Sequence, residues 1–253
     1  MIKRLIYLFM LIAAPLTAKA DDQVNSLFTK GNDQYAKAKY QDAVKTYQAI
    51  LDKGYQSAVV YFNMGNAYYK LGEIPSAVLY YEKAHKLAPG DEDIKFNIQL
   101  ANAKTTDKIE ATPGFFLTNW WNAFILCCSV NSLGIITVLL IGAGFGVLTF
   151  YLFAQSVGLK KASFYGALAL IFLGLVTALM GASQVHYFAA HHQAVVFNNA
   201  VTVKSEPGAA SKNLFVIHDG TKVDILEDNN GWMRIRLSNG NEGWMMATDV
   251  KPI

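Results

Sequence analysis

Between Ala111 and Leu159 the chain carries no Asp, Glu, Lys or Arg, and after the single pair Lys160-Lys161 the charge-free text resumes until Lys204. Charged residues fall throughout both flanks, so a gap of this length marks chain that avoids water. Two stretches inside it, 133–153 and 162–182, each supply the roughly 20 apolar residues needed to cross a bilayer core of about 30 Å. A membrane hairpin is expected, with residues 154–161 as its connecting loop. Neither span contains an ionisable Asp, Glu, Lys or Arg. That disfavours a transporter or proton path, which needs such a group at depth. Gly142-x-x-x-Gly146, with Gly166, Gly174 and Gly181, offers flat surfaces on which helices can approach closely.

The N-terminus begins Met1-Ile2-Lys3-Arg4, continues through an uncharged apolar stretch to Leu16, and reaches Ala18-Lys19-Ala20 before Asp21. Basic start, short apolar centre and Ala-x-Ala exit are the parts of a bacterial secretory signal, which places a signal peptide at 1–20. An uncleaved anchor would leave the topology unchanged. Export carries the segment from Asp21 outward, and the basic pair Lys160-Lys161 then falls in the cytoplasmic loop, as the bias of Lys and Arg toward that side requires. Both flanks are thereby expected in the periplasm of a bacterial inner-membrane protein. The net charge of +3 is too small to argue for nucleic acid. The neighbours Cys127 and Cys128 read as small apolar packing residues, since adjacent cysteines rarely bridge and no second pair exists.

The first flank repeats itself at an offset of about 34 residues, which superposes 24–57 on 58–91. The second copy reads Tyr61-x-x-Met64-Gly65-x-x-Tyr68, then Ala77-x-x-x-Tyr81, Ala84 and Pro89. This pattern resembles the tetratricopeptide repeat. The first copy keeps Leu27, Gly31, Ala43 and Tyr47, with Gln34 in place of Tyr68 and Tyr55 in place of Pro89. Gly31 and Gly65 let paired helices approach, Ala43 and Ala77 sit where the second helix crosses the first, and Tyr47 and Tyr81 fill the space between neighbouring pairs. Pro89 ends its helix. Two repeats need a cap, which 92–104 supplies, so that 21–110 forms one repeat domain.

The resemblance implies a concave groove lined by the first helix of each pair. Its residues here are Phe28, Asn32, Tyr35, Phe62, Asn66, Tyr69 and, from the cap, Asn97. Aromatic rings beside Asn side chains suit an extended peptide, whose amides the Asn groups can satisfy. Simple packing is the alternative for Tyr35 and Tyr69. A carboxylate clamp needs Lys where Phe28 stands, so none is expected.

Residues 111–132 start with Thr112-Pro113, a helix cap and first-turn pair, and concentrate Phe115, Phe116, Trp120, Trp121 and Phe124. Aromatics just outside a span mark the headgroup zone, so this segment is expected to lie along the membrane surface. Beyond the hairpin, short alternating runs with turn signals at Asp219-Gly220, Asn229-Asn230-Gly231 and Asn239-Gly240 describe a small antiparallel barrel over 194–253. The blocks Val201 to Ser205, Gly220 to Val223, Gly231-Trp232-x-x-Ile235 and Gly243-Trp244-Met245 resemble the bacterial SH3-like (SH3b) domain, whose members bind cell-wall peptides or proteins. Trp232 and Trp244 are candidates for its ligand face, with core packing the alternative for either. His186, His191 and His192 have no Cys or acid at metal spacing and form no ligand set.

The expected fold is therefore multidomain: all-α helical repeats, a two-helix transmembrane hairpin and a small all-β barrel. In that order the parts resemble the BatE family of bacterial aerotolerance operons, and the run Asp93 to Lys104 followed by Asp107 to Glu110 is the most family-like text. The resemblance implies membrane-anchored von Willebrand factor A-domain proteins as partners and, indirectly, a MoxR-type ATPase. It brings no catalytic residues and no cofactor. An enzyme is not expected, since no exported Cys lies outside the membrane zone and no Ser-His-Asp context or carboxylate cluster is visible. The competing reading is a cell-wall sensor whose barrel binds peptidoglycan peptides.

Overall fold

In a computed structural model the described residues are 22–253; the expected signal peptide lies outside them. The chain divides into two compact units, one ending at Tyr55 and one covering Gln56–Ile253. In the first, α1 (Asp22–Ala36) and α2 (Tyr40–Leu51) form one helix pair joined by a turn at Ala38, whose φ is 56°. Ala43, Val44, Tyr47 and Ile50 of α2 are buried against α1.

The second unit opens with the equivalent pair, α3 (Ala58–Leu71) and α4 (Ile74–Leu87). Helix α3 stops where Gly72 adopts a left-handed φ of 79°, and its N–H returns to the carbonyls of Tyr68 and Tyr69. Pro75 stands in the first turn of α4, where its missing N–H costs nothing, and α4 ends two residues before Pro89. Asp91 then caps α5 (Glu92–Asn102), its carboxylate accepting from the N–H groups of Asp93 and Ile94. The cap helix is two residues shorter than the 92–104 read from the sequence, because Lys108 folds back and its Nζ donates to the carbonyls of Asn102, Ala103 and Thr105.

Helix α6 (Phe116–Ile125) carries the aromatic segment. It does not start at Thr112-Pro113 as expected. Thr112 instead donates its N–H to Ser238, which holds that stretch extended against the C-terminal module until Phe115. Phe115, Phe116 and Trp120 are exposed, while Ile125 is buried at the helix's far end.

Helices α7 (Val130–Phe153) and α8 (Val157–Ala190) are long and apolar enough to cross a membrane, with mean hydropathies of 2.3 and 2.1. Only 11% and 17% of their most apolar windows are buried inside the protein. A core helix of a soluble domain would be covered by its neighbours; these two present apolar side chains outward almost all round. Both start on Ser caps, Ser129 and Ser156. The second helix extends well past the expected 162–182 at both ends, so the break is confined to 154–156 and Lys160-Lys161 sit in the first turns of α8. Its C-terminal extension carries Gln184, which has a structural use described below.

Gly166, Gly174 and Gly181 face α7 as expected, but the Gly142-x-x-x-Gly146 pair does not meet α8. Gly142 and Gly146 face open space, whereas a Cβ on Gly144 would meet Ile171 and one on Gly174 would meet Ile141, each at 2.6 Å. The crossing is thus built on Gly144 and Gly174, reinforced by a 2.8 Å hydrogen bond between the hydroxyls of Thr137 and Thr177. Spacing identifies flat faces without saying which face meets the partner.

The C-terminal strands are β1 (Gln193–Val196), β2 (Ala200–Lys204), β3 (Asn213–His218), β4 (Lys222–Asn229), β5 (Trp232–Arg236), β6 (Glu242–Met246) and β7 (Val250–Pro252). They form an antiparallel sheet in the order β3-β2-β6-β5-β4-β1-β7. Strand β7 follows a 3-10 turn and had no separate signal in the sequence. Between β4 and β5, Asn230 and Gly231 have φ values of 48° and 83°, the pair of left-handed residues that a tight hairpin needs and that Asn-Gly supplies. Val196, Val203, Ile217, Val223, Ile235, Leu237 and Met245 are buried in one core.

Candidate binding surfaces

The paired helices of each repeat meet through a Gly-Tyr contact. Tyr81 is 1% exposed and lies over Gly65, where an added Cβ would come within 2.5 Å of the ring. Tyr47 lies over Gly31 in the same way in the first pair. The two rings therefore fill space within each pair rather than between pairs. Ala43 and Ala77 are fully buried beside them, and Tyr68 stacks on Tyr80 at 5.3 Å.

The same tyrosines hold the groove asparagines. Tyr47 donates its hydroxyl to Asn32 Oδ1 at 2.7 Å, and Tyr81 to Asn66 Oδ1 at 2.8 Å. With its carbonyl end occupied, Asn66 turns its amide nitrogen away from Tyr81. Phe28 and Phe62 lean on Tyr47 and Tyr81 respectively. Tyr35 packs edge-on to Tyr40 at 5.3 Å, and Tyr69 lies under the Lys104 ammonium at 4.6 Å. Asn97 donates to the Asp93 carbonyl of its own helix, one turn back.

On the C-terminal module the strand alternation decides which side each tryptophan takes. Met233, Ile235 and Met245 point into the core, so Trp232, Arg234 and Arg236 on β5 and Trp244 and Met246 on β6 point out. Trp232 stands opposite Met246 and Arg234 opposite Trp244. Arg234 and Arg236 both donate to Glu242, at 2.8 and 2.7 Å. The Arg236 bond, followed by that of Arg234, holds the Glu242 carboxyl below its usual range. This outer face combines two half-buried indoles with two half-exposed guanidinium groups.

The opposite side of the module is occupied, and nothing in the sequence announced it. Val195 of β1 is fully buried in a cluster with Ala77, Val78 and Tyr81, and Phe197 and Ile253 pack around it. Glu82, only 5% exposed, accepts an ion pair from Lys222 at 2.8 Å, and Lys86 donates to the terminal residue Ile253. Beside them His85 is held below the ordinary imidazole value of 6.5, chiefly by burial.

The segment after α5 straps across the module. Asp107 accepts from the His218 N–H, the His218 ring and the Thr221 hydroxyl, at 2.6, 2.8 and 2.8 Å. Burial alone would raise this carboxyl; the three donors outweigh it and keep it below the ordinary 3.8. Ile109 adds an apolar contact to the barrel core. Near the C-terminal end of α8, fully buried Gln184 donates both N–H bonds of its amide to the carbonyls of Ile125 and Cys128, at 2.9 Å each. Cys127 is exposed, which corrects its reading as a packing residue, whereas Cys128 is partly buried and packs against Ile125, Leu133 and Met180 as expected. The turn that carries them lies on the surface between α6 and α7. Among the described residues no group of His, Cys, Asp and Glu is arranged to hold a metal ion.

Residues 199–251 match the bacterial SH3 domain family, and residues 58–91 match the tetratricopeptide repeat family. No curated protein matches the chain. Among solved structures it is similar to an NlpC/P60 family protein from Bacillus cereus at 20% identity and a TM-score of 0.21. That likeness covers 27% of this chain and spans 23% of the other protein's length. It is also similar to the Yersinia enterocolitica type III secretion chaperone SycD, solved with a peptide of the translocator YopD. Here identity is 15%, the TM-score 0.31, and the coverage 64% of this chain and 99% of that one. The two family matches define the class: helical repeats, two helices able to span a membrane, and a C-terminal bacterial SH3 domain, with both hydrophilic parts of binding type.

Proposed function

We propose that the chain is a non-catalytic scaffold of a bacterial inner membrane, holding protein partners on the periplasmic side through its repeats and its SH3b domain. One observation carries this reading. The SH3b domain spends one flank on the second repeat, through Val195, Lys222 and Ile253, yet leaves Trp232, Trp244 and Arg234 outward on the other. A protein that joins others needs such an uncommitted face on a fixed base. Aromatic and Arg side chains are also the usual anchors of binding surfaces.

The other candidate surfaces are the first-helix faces, one in each repeat. In the second repeat Phe62, Asn66 and Tyr69 share α3, and the Asn66 amide, fixed by Tyr81, is oriented to donate to a peptide carbonyl. Phe28, Asn32 and Tyr35 are the matching positions of the first repeat, and Asn97 extends the set onto α5. The periplasmic placement is supported by the leader-like text at 1–20 and by Lys160-Lys161 in the first turns of α8, next to the break between the two long helices. The aromatic helix α6 then lies in the headgroup zone.

The resemblance to BatE proteins makes von Willebrand factor A-domain membrane proteins the expected partners, with a MoxR-type ATPase reached through them in an envelope-stress complex. Co-purification from detergent-solubilised membranes tests this. Asn66→Ala with Tyr69→Ala should remove one set of partners and Trp232→Ala with Trp244→Ala another; partner sets identical to wild type would sink the scaffold reading.

A cell-wall sensor is the second reading, favoured by the Arg234 guanidinium, which stands opposite Trp244 and two residues along β5 from Trp232 and suits the carboxylates of peptidoglycan stem peptides. Retention of the full chain on purified wall material, abolished by the tryptophan pair of substitutions, is its expected outcome. No retention would remove it.

A further inference from the structure

Cys127 and Cys128 are chain neighbours whose side chains would point apart in an extended strand. In the turn between α6 and α7 they point the same way, with the two Sγ atoms 3.2 Å apart. We propose that they form a reversible dithiol-disulfide pair, a redox-active site on the membrane-proximal surface.

The surroundings leave the pair open to that chemistry. Cys127 is exposed and borders an open cleft whose lining includes His85, Glu92 and Lys95, so a dissolved oxidant can reach it. Accessibility is one of the conditions under which cysteine sulfur reacts. The bond from Cys127, and then burial, push the Cys128 thiol up. Cys127, the more exposed of the two, is the attacking sulfur and Cys128, partly covered, the resolving one. The turn is held in place while this happens: Gln184 gives both its donors to the carbonyls of Ile125 and Cys128, and its own Oε1 receives nothing in return.

The step balances with a disulfide as oxidant, either low-molecular-weight or carried by a protein. The Cys127 thiolate attacks one sulfur of the oxidant and expels the other as a thiolate, which takes up a proton. The Cys128 thiolate then attacks Cys127 Sγ in the mixed disulfide and releases the second oxidant sulfur, also as a thiol. Two thiols here lose two electrons and two protons, and the oxidant's disulfide gains them. A bridge between neighbours spans Cα atoms about 3.8 Å apart, shorter than the roughly 4.4 Å lower limit of ordinary disulfides, so the bond is strained and easily reduced. Strained, exposed disulfides are the labile ones.

A Cβ on Gly90 would collide with the backbone carbonyl of Cys127, so it is the bare glycine that lets the loop after α4 lie against the peptide joining the two cysteines. The thiol chemistry itself does not depend on which side of the membrane the turn faces. Its resting state does, because disulfides persist in the periplasm and not in the cytosol.

The test uses the purified full chain in detergent, equilibrated in glutathione buffers of graded oxidised-to-reduced ratio, then alkylated and weighed intact by mass spectrometry. Both thiols should vanish together, with no glutathione adduct on the wild type, whereas Cys128→Ser should accumulate one adduct on Cys127. Two free thiols at every ratio, a persisting adduct on the wild type, or a bridge between chains would each overturn the proposal. Alkylation in intact cells, before and after reductant, separately reads the compartment: a pair that closes in glutathione yet is always reduced in cells would count against the periplasmic placement alone.

Discussion

The salt bridge between Glu82 and Lys222 illustrates how unevenly single residues matter here. Glu82 is buried on α4 and Lys222 is the cation that reaches it. Removing the cation strands a carboxylate without water, which costs about 3 kcal/mol, whereas replacing both partners by apolar groups can be close to neutral. Lys222→Met should therefore lower the unfolding midpoint clearly, and adding Glu82→Met should restore most of the loss, as read by thermal denaturation in a double-mutant cycle.

Gly65 poses the opposite problem, a side chain that must be missing. Alanine would gain up to about 1 kcal/mol of helix propensity. It would also press a methyl into the buried ring of Tyr81, and overpacking of that kind costs about 1–3 kcal/mol. The clash wins, so Gly65→Ala should destabilise the second repeat by about 1 kcal/mol. A midpoint equal to wild type would show that the Tyr81 ring can move aside.

At the scale of elements, the strap around Asp107 joins the end of α5 to the barrel. A carboxyl held below its ordinary 3.8 in the folded protein contributes stability that is complete above that value and is lost as pH falls through the still lower folded value. Asp107→Asn keeps the shape but removes the charge that accepts three hydrogen bonds. It should cost about 2 kcal/mol at neutral pH. It should also flatten the loss of stability expected of wild type as pH falls below 3.8. Equal acid profiles for the two proteins would show that the strap does not close through this carboxylate.

The elements themselves were largely legible. The 3.6-residue pattern with Gly65, Ala77 and Pro89 at repeat spacing marked α3 and α4, and the Asn-Gly turn marked the β4-β5 hairpin, because these signals are local. The tryptophans resolved only once the strand register was known, since alternation sorts Trp232 and Trp244 to the outside through Met233 and Met245 on the inside. The hairpin glycines show the converse. Gly174 was legible, but on α7 the familiar spacing of Gly142 and Gly146 pointed to the wrong face and the crossing fell on Gly144, because a helical wheel does not say which face meets the partner.

At the scale of the whole molecule, the proposed topology makes both hydrophilic parts accessible from the same side. Protease added to spheroplasts should digest the repeats and the SH3b domain, and in inverted vesicles should leave them protected. The reverse pattern would place the surfaces in the cytosol, away from the proposed partners.

The membrane-compatible helices, the repeat and the barrel were determined by the sequence alone, because exclusion of charge, helical period and strand alternation act between residues close in the chain. Only the tertiary structure decided that the SH3b domain docks on the second repeat, that Gln184 pins the turn before α7, and that two cysteines read as filler stand side by side with Cys127 exposed. Those outcomes depend on partners such as Glu82 and Lys222, distant in sequence, whose pairing leaves no periodic trace and is set by which buried charge finds its counterion.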